Sequence, residues 1–402
     1  MKKKTYKIKL INMLINFLFL IVITEDIKAE RIINTSAKQA LLIDFNTDRI
    51  LLNNNADVSM APASMSKLMT IYLAFEALAQ KRVQLNTNFI VSEKAWRRKD
   101  KNGNSLPPSG SSMFLEPNTR VEFEDLLRGI IVQSGNDACI VIAEGLSKSE
   151  SSFVKEMNKK SEALGLTNSK FMNSTGWPEN NHYMSSLDLA TLTKRLYIDF
   201  PQYMYYFSEK KFKYNGISQP NRNSLLFAGI GADGLKTGYT KNSGYGVVAS
   251  AFQDGRRLIL VLNGLKSKKN RAMESENIMN WGFREFENIE LFSQHDVVER
   301  APVWLGDIPY VDLIVREKVL LTIAKGLKGK DLKAVIKYSS PIIAPINIDK
   351  IVGKLIIRNS RGKKIKEYNL YPSEKVKKAG PVGRLFSSLS YLIWGESILN
   401  DK

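Results

Sequence analysis

The order of apolar and polar positions along the chain predicts strands at both ends of its larger part and helices between them. Residues 37–55, AKQALLIDFNTDRILLNNN, hold two apolar runs about a polar turn at Asn46, Thr47 and Asp48, which is the pattern of a β-hairpin. Helical apolar spacing follows over 64–80 and 122–147, and again over 185–198 after Ser185 and Ser186. GYGVVASAF and RRLILVLNGL, joined at Asp254-Gly255, predict a second hairpin over 244–265, and a helix follows over 271–286. This order predicts an α/β (α+β) fold, an antiparallel sheet covered by helices.

Beyond about residue 288 the pattern changes. Short β-like runs such as VLLTIA, AVIKYS and KIVGKLIIRN are separated by Gly, Lys and Pro, predicting a small all-β domain over 289–375. The last segment, 376–402, is helical again. Val382, Leu385, Phe386, Leu389, Leu392 and Ile393 fall on one face with Trp394 beside them, after Lys375, Lys377, Lys378 and Arg384. Such an amphipathic helix lies in a membrane interface, its cations toward an anionic leaflet.

The other end of the chain carries a different signal. MKKKTYKIK is basic, LINMLINFLFLIVI is an apolar run of 14 residues, and TEDIKA ends on Ala29. A span needs about 20 apolar residues, so residues 1–29 read as a secretory signal cleaved before Glu30. The mature chain is then expected to begin its larger domain, over 30–288, and to be exported to the periplasmic face of the cytoplasmic membrane. The net charge of +19 falls to +15 without residues 1–29, which carry six lysines against Glu25 and Asp26. A basic exported protein suits an anionic membrane or polymer, and no basic stripe interleaved with aromatics points to nucleic acid. One cysteine, Cys139, excludes an intramolecular disulfide, and two histidines, His182 and His295, exclude a His/Cys metal cluster.

The candidate chemistry lies in three short motifs. Ser-x-x-Lys occurs four times, but only Ser64/Lys67, in APASMSKLMT, sits in an apolar helix start. Ser134-Gly135-Asn136 and Lys236-Thr237-Gly238 follow in order, the latter entering the second hairpin. A serine hydroxyl is a poor nucleophile until a base takes its proton. With neither histidine in a triad context, Lys67 is that base, provided burial and a nearby cation, Lys236, lower its pKa. Ser134 relays a proton to the leaving group and Asn136 holds a substrate amide. Gly238 lets substrate backbone lie along the strand edge as an added strand.

The ordered trio resembles the signature of the serine penicillin-recognising enzymes. PASMSKLMT, QSGNDACI, QPNRNSLL, GLKTGYT and WGFREFE resemble the low-molecular-mass penicillin-binding proteins that act as D-alanyl-D-alanine carboxypeptidases. The resemblance runs from about Ala37 to the C-terminus and implies a transpeptidase/β-lactamase-like catalytic domain. It implies removal of the terminal D-alanine from peptidoglycan stem peptides through a Ser64 acyl-enzyme, β-lactams as inhibitors, and no metal or cofactor. It also implies an oxyanion hole from the backbone N–H groups of Ser64 and Tyr239. Lys236, Thr237 and Arg271 are implied to receive the substrate carboxylate, although the stretch around Arg271 differs from the family's usual one.

Other residues take plainer readings. Cys139 is a core cysteine near the site, His182 a surface residue in a polar loop, and Asp188 a structural partner or cap at a helix start. The Gly/Pro/Ser-rich loop 97–117 borders the cleft without an assigned role. A class A β-lactamase needs a deacylating glutamate in a Glu-x-x-x-Asn setting, and none of the glutamates between the second and third motifs provides one. The same motifs also fit a DD-endopeptidase or transpeptidase using this site, and a non-catalytic peptidoglycan-binding shape protein that keeps it as a vestige.

Overall fold

The computed structural model describes residues 33–96, 110–326 and 332–385. The segment read as a signal, 1–29, most of the amphipathic tail, from Phe386 onward, and residues 97–109 of the long loop lie outside the described residues.

Five antiparallel strands form the central sheet: β1 (Gln39–Asp44), β2 (Ile50–Asn54), β3 (Ala232–Thr240), β4 (Gly244–Gln253) and β5 (Arg256–Leu265). Their order is β2-β1-β5-β4-β3, so the two predicted hairpins meet along β1 and β5, with Leu41 opposite Val261. The inner strands are near-continuous apolar runs because both faces are covered. β3 is left at an edge, where one row of backbone groups has no partner strand among the described residues.

One face carries the helices α1 (Lys67–Ala79), α2 (Phe123–Ile131), α3 (Asn136–Ser147), α4 (Glu150–Ala163) and α5 (Ser186–Asp199). α1 is apolar nearly all round, and only Glu76 and Ala79 escape full burial. A helix of that kind belongs at the centre of its layer. The other face carries α6 (Lys268–Glu285), which is drawn close where Gly282 meets Leu42 and Leu258. Three starts follow one rule: Ser149, Ser185 and Ser267 each accept a backbone N–H three residues on, at 3.1, 3.0 and 3.0 Å.

Two expectations are corrected. The apolar spacing over 122–147 is two helices, broken where Ser134 takes a φ of +62°. Apolar periodicity carries through because both helices turn the same kind of face to one core. The segment 64–80 starts as a 3-10 turn, Ala63–Ser66, and becomes α-helical only at Lys67.

α6 leads directly into the all-β part, β6 (Phe286–Phe292), β7 (Val297–Trp304), β8 (Tyr310–Ile314), β9 (Val319–Ala324), β10 (Leu332–Tyr338), β11 (Ile342–Ile343), β12 (Gly353–Asn359) and β13 (Lys364–Pro372). β6 pairs with β9, and the remainder form a six-stranded sheet in the order β10-β12-β13-β8-β7-β11. A separate core including Leu313, Val319, Leu355, Ile357 and Leu370 fills it. The junction is polar and buried. Asp44, wholly buried, pairs with Arg256 at 2.7 Å, and Arg256 also donates to the carbonyls of Gly282 (3.0 Å) and Phe286 (2.7 Å). No helix among the described residues is long and apolar enough to cross a membrane.

Candidate active site

Ser64 lies in the 3-10 turn, entered through Ala63 at a φ of +49°. In a 3-10 turn residues i and i+3 eclipse, and the Lys67 Nζ therefore stands 2.9 Å from the Ser64 Oγ. Lys67 has no exposed surface. Its burial is tolerated because acceptors converge on the ammonium: the Asn136 Oδ1 at 2.7 Å and the backbone carbonyl of Thr175. Burial lowers the Lys67 pKa to about 8, and the Arg222 guanidinium pushes in the same direction. Arg222 is a second cation acting on Lys67 besides the expected Lys236, whose repulsion with Lys67 is mutual. Lys236, also fully enclosed, is itself driven well below the usual lysine range by burial and then by Lys67 and Arg222. Two ammoniums in one dry pocket oppose each other's charge, and a carboxylate entering beside them would favour protonation of both.

The second motif fills the break between α2 and α3. The Gly135 N–H returns to the Gly129 carbonyl at 2.9 Å and the Asn136 N–H donates to the Ser111 carbonyl at 2.8 Å. Asn136 is thereby carried to Lys67. The Ser134 Oγ is buried without a hydrogen-bond partner among the described residues, an arrangement that costs stability unless another group uses it. Asp137, next in the chain, accepts from the Ser112 hydroxyl (2.7 Å) and from the N–H groups of Met113 (2.9 Å) and Leu115 (3.2 Å). It thus pins the described end of the 97–117 loop against the site.

The third motif lies on the edge strand β3. Gly238 faces the nucleophile's turn, and a Cβ there would stand 3.0 Å from the Pro62 carbonyl oxygen and 3.2 Å from the Ala63 Cβ. A side chain here would press the turn back by a few tenths of an ångström, a reason for glycine beside room for substrate backbone. The Thr240 N–H turns inward to the Ser243 Oγ at 3.1 Å, and strand alternation turns that of Tyr239 to the free edge. The Tyr239 ring stacks on Tyr245 at 4.2 Å. Lys236 shares the face of Gly238 and donates to the Thr237 carbonyl at 3.2 Å.

Arg271, in the first turn of α6, is 8% exposed. Its Nη2 donates to the Arg222 carbonyl at 3.1 Å, and burial lowers its pKa to about 10. Arg222 donates to the Ser111 Oγ. Burial lowers the Arg222 pKa as well. The fold thus brings Lys236, Arg222 and Arg271 into one cationic region at one end of the cleft.

Several participants carry too weak a local signal to stand out in the sequence. Arg222 is held between Asn221 and Asn223, which bond the Glu209 carbonyl (3.1 Å) and the Gly234 carbonyl (2.8 Å); the pair of asparagines is the available clue. Asn173 organises the turn that presents the Thr175 carbonyl, its Oδ1 accepting from the N–H groups of Thr175, Gly176 and Trp177. Gly176, with φ +76°, faces the Ala63 carbonyl so closely that a Cβ would stand 2.0 Å from it. His182 is corrected: it is buried, 6% exposed, and its pKa falls to about 4 through burial and the charge of Lys67. Cys139 is buried, with its thiol pushed up to about 12. Asp188 acts as a structural partner, accepting from the Asn168 N–H (2.8 Å) and the Ser169 hydroxyl (2.6 Å).

Comparison with known proteins identifies a family. Residues 25–267 match the family model of D-alanyl-D-alanine carboxypeptidase. The chain belongs to that family. Residues 286–378 match the C-terminal domain of penicillin-binding protein 5. The chain is 36% identical to the D-alanyl-D-alanine carboxypeptidase DacC of Escherichia coli, over 88% of this chain and 87% of the relative. It is equally similar, at 36% over 90% of each chain, to the carboxypeptidase DacA of Haemophilus influenzae. The crystal structure of penicillin-binding protein 5 from Haemophilus influenzae superimposes with a TM-score of 0.79 at 35% identity, covering 86% of this chain and 99% of that one.

Proposed function

We propose that this family member is an exported serine carboxypeptidase that removes the terminal D-alanine from peptidoglycan stem peptides, with Ser64 as nucleophile. The observation that carries the reading is the contact of the Ser64 hydroxyl with a fully buried lysine of lowered pKa. Neutral Lys67 takes the hydroxyl proton as the Ser64 Oγ bonds to the carbonyl carbon of the penultimate alanine. The developing oxyanion lies between the N–H groups of Ser64 and Tyr239. Ser134 carries the proton from Lys67 to the nitrogen of the departing D-alanine as the C–N bond breaks. This use accounts for a buried hydroxyl without a partner among the described residues. Water then cleaves the ester and restores Ser64. The leaving alanine's carboxylate sits among Lys236, Thr237, Arg222 and Arg271, where burial strengthens its attraction, and Asn136 receives the substrate amide.

The signal-like residues 1–29 and the basic, one-faced tail support a location at the outer face of the cytoplasmic membrane, the tail lying in the interface. A labelled penicillin tests the assignment. It attaches to Ser64 and is lost in Ser64→Ala, and the same variant releases no D-alanine from a pentapeptide. A label that persists in the alanine variant, or maps to Ser134, refutes it.

A further inference from the structure

The lysine base is aimed by groups that do not touch it. Three oxygens meet the Lys67 Nζ: the Ser64 Oγ at 2.9 Å, the Asn136 Oδ1 at 2.7 Å and the Thr175 carbonyl. Protonated lysine donates to all three. Neutral lysine keeps two N–H groups and gains a lone pair. The carbonyl and amide oxygens can only accept, so they take both N–H groups and leave the lone pair to face the Ser64 hydroxyl. The Thr175 carbonyl therefore sets the direction of the base.

That carbonyl is placed through the preceding residue. Ser174 has no exposed surface and is fixed at three atoms. The Glu150 Oε1 accepts from the Ser174 N–H at 3.1 Å and from its hydroxyl at 2.8 Å. The Ser174 carbonyl accepts from the Thr70 hydroxyl at 2.7 Å. Thr70 lies one turn beyond Lys67 in α1 and Glu150 opens α4, so two helices grip Ser174 from opposite ends of its peptide unit. The second Glu150 oxygen, Oε2, pairs with the Lys94 ammonium at 3.0 Å. Burial alone would raise the Glu150 pKa, but the bonds from Lys94 and Ser174 bring it below the usual carboxylate value, and the acceptor stays ionised. Neither Ser174 nor Lys94 receives substrate in the reading above.

We propose that Glu150 and Thr70 are positioning residues for the base: by clamping Ser174 they hold the Thr175 carbonyl where it aims the Lys67 lone pair at Ser64. The proposal rests on the carboxypeptidase reading, with Lys67 as base, and deepens it. A carbonyl that accepts from an ammonium also favours the charged form. Loosening the clamp therefore misdirects the base and lowers the pH at which it becomes neutral.

The test follows acylation of the full chain by a labelled penicillin across pH and penicillin concentration, in the unaltered protein, Glu150→Ala and Glu150→Gln. Glu150→Ala is expected to lower the maximal rate by about tenfold, part of the ~10²-fold that a misplacement of an ångström can cost. The half-saturating concentration stays unchanged, and the pH midpoint moves below about 8. Glu150→Gln keeps an acceptor oxygen for Ser174 and is expected to recover both the rate and the midpoint. A mere loss of folded protein would reduce the number of sites labelled without moving the midpoint. Should Glu150→Ala not fold, Thr70→Val, which removes the bond to the Ser174 carbonyl, decides in its place, with the same directions expected. A midpoint that stays at the unaltered value in the variant measured, or a Glu150→Gln protein as slow as Glu150→Ala, overturns the proposal and leaves the carboxypeptidase reading standing. Absence of Ser64 labelling in the unaltered protein overturns both.

Discussion

If Lys67 must be neutral to take the Ser64 proton, the rate of acylation follows its titration. An ordinary lysine, at 10.5, is neutral at pH 7 in about one molecule in three thousand; at about 8 the fraction is about one in ten. Between pH 7 and 9 acylation by a labelled penicillin should therefore rise about tenfold and level off, with its midpoint near 8. Lys67→Arg keeps a cation but removes the accessible neutral form, so acylation collapses and the rise disappears. The titration has a stability counterpart. The folded pKa lies below the unfolded one, so between about 8 and 10.5 the unfolded chain binds more protons and stability rises with pH. At about 1.4 kcal/mol per pH unit the difference is worth about 3 kcal/mol. It should appear when the pH dependence of urea unfolding is compared between the unaltered protein and Lys67→Met. A flat acylation profile from about pH 6 to 9, or a midpoint above about 10, would refute the lysine-base argument.

Three other outcomes are expected. Gly238→Ala should slow acylation by about tenfold while the fold survives, because relief of the 3.0 Å approach to Pro62 moves β3 and its oxyanion donor by a few tenths of an ångström; unchanged acylation would contradict this. Asp44→Ala strands the buried Arg256 at the junction with the all-β part and should cost about 3–5 kcal/mol in denaturant unfolding, with a loss under about 1 kcal/mol counting against it. Deleting residues 380–402 should leave hydrolysis of a soluble peptide intact and move the protein from the membrane fraction to the soluble exported fraction; a truncated protein that still sediments with membranes would show that the tail is not the anchor.

The three motifs are legible because their residue types are costly without a use. A lysine in an apolar helix start and a glycine entering a strand both stand out against their neighbours. Arg222 does not, because an arginine in a polar loop is ordinary until the fold encloses it. His182 is misplaced for the same reason: ENNHYM is polar as text, yet the His182 ring packs edge-on against Phe171 at 5.9 Å. The break at Ser134 also escapes the periodicity, since α2 and α3 supply apolar faces to the same core on either side of it.

The sequence alone determined what local rules govern: hairpins from turn residues, a helix start after Ser185 and Ser186, the separate all-β region from its short runs, and the pairing of a candidate nucleophile with its base. Only the tertiary structure decided what depends on groups distant in the chain. It brought the Asn136 Oδ1 and the Thr175 carbonyl onto Lys67, and it added Arg222 to the cations that act on that lysine. It also gathered Lys236, Arg222 and Arg271 at one end of the cleft. The physical reason is that capping and periodicity act within a few residues, whereas desolvation and Coulomb forces depend on whatever the fold packs within several ångströms.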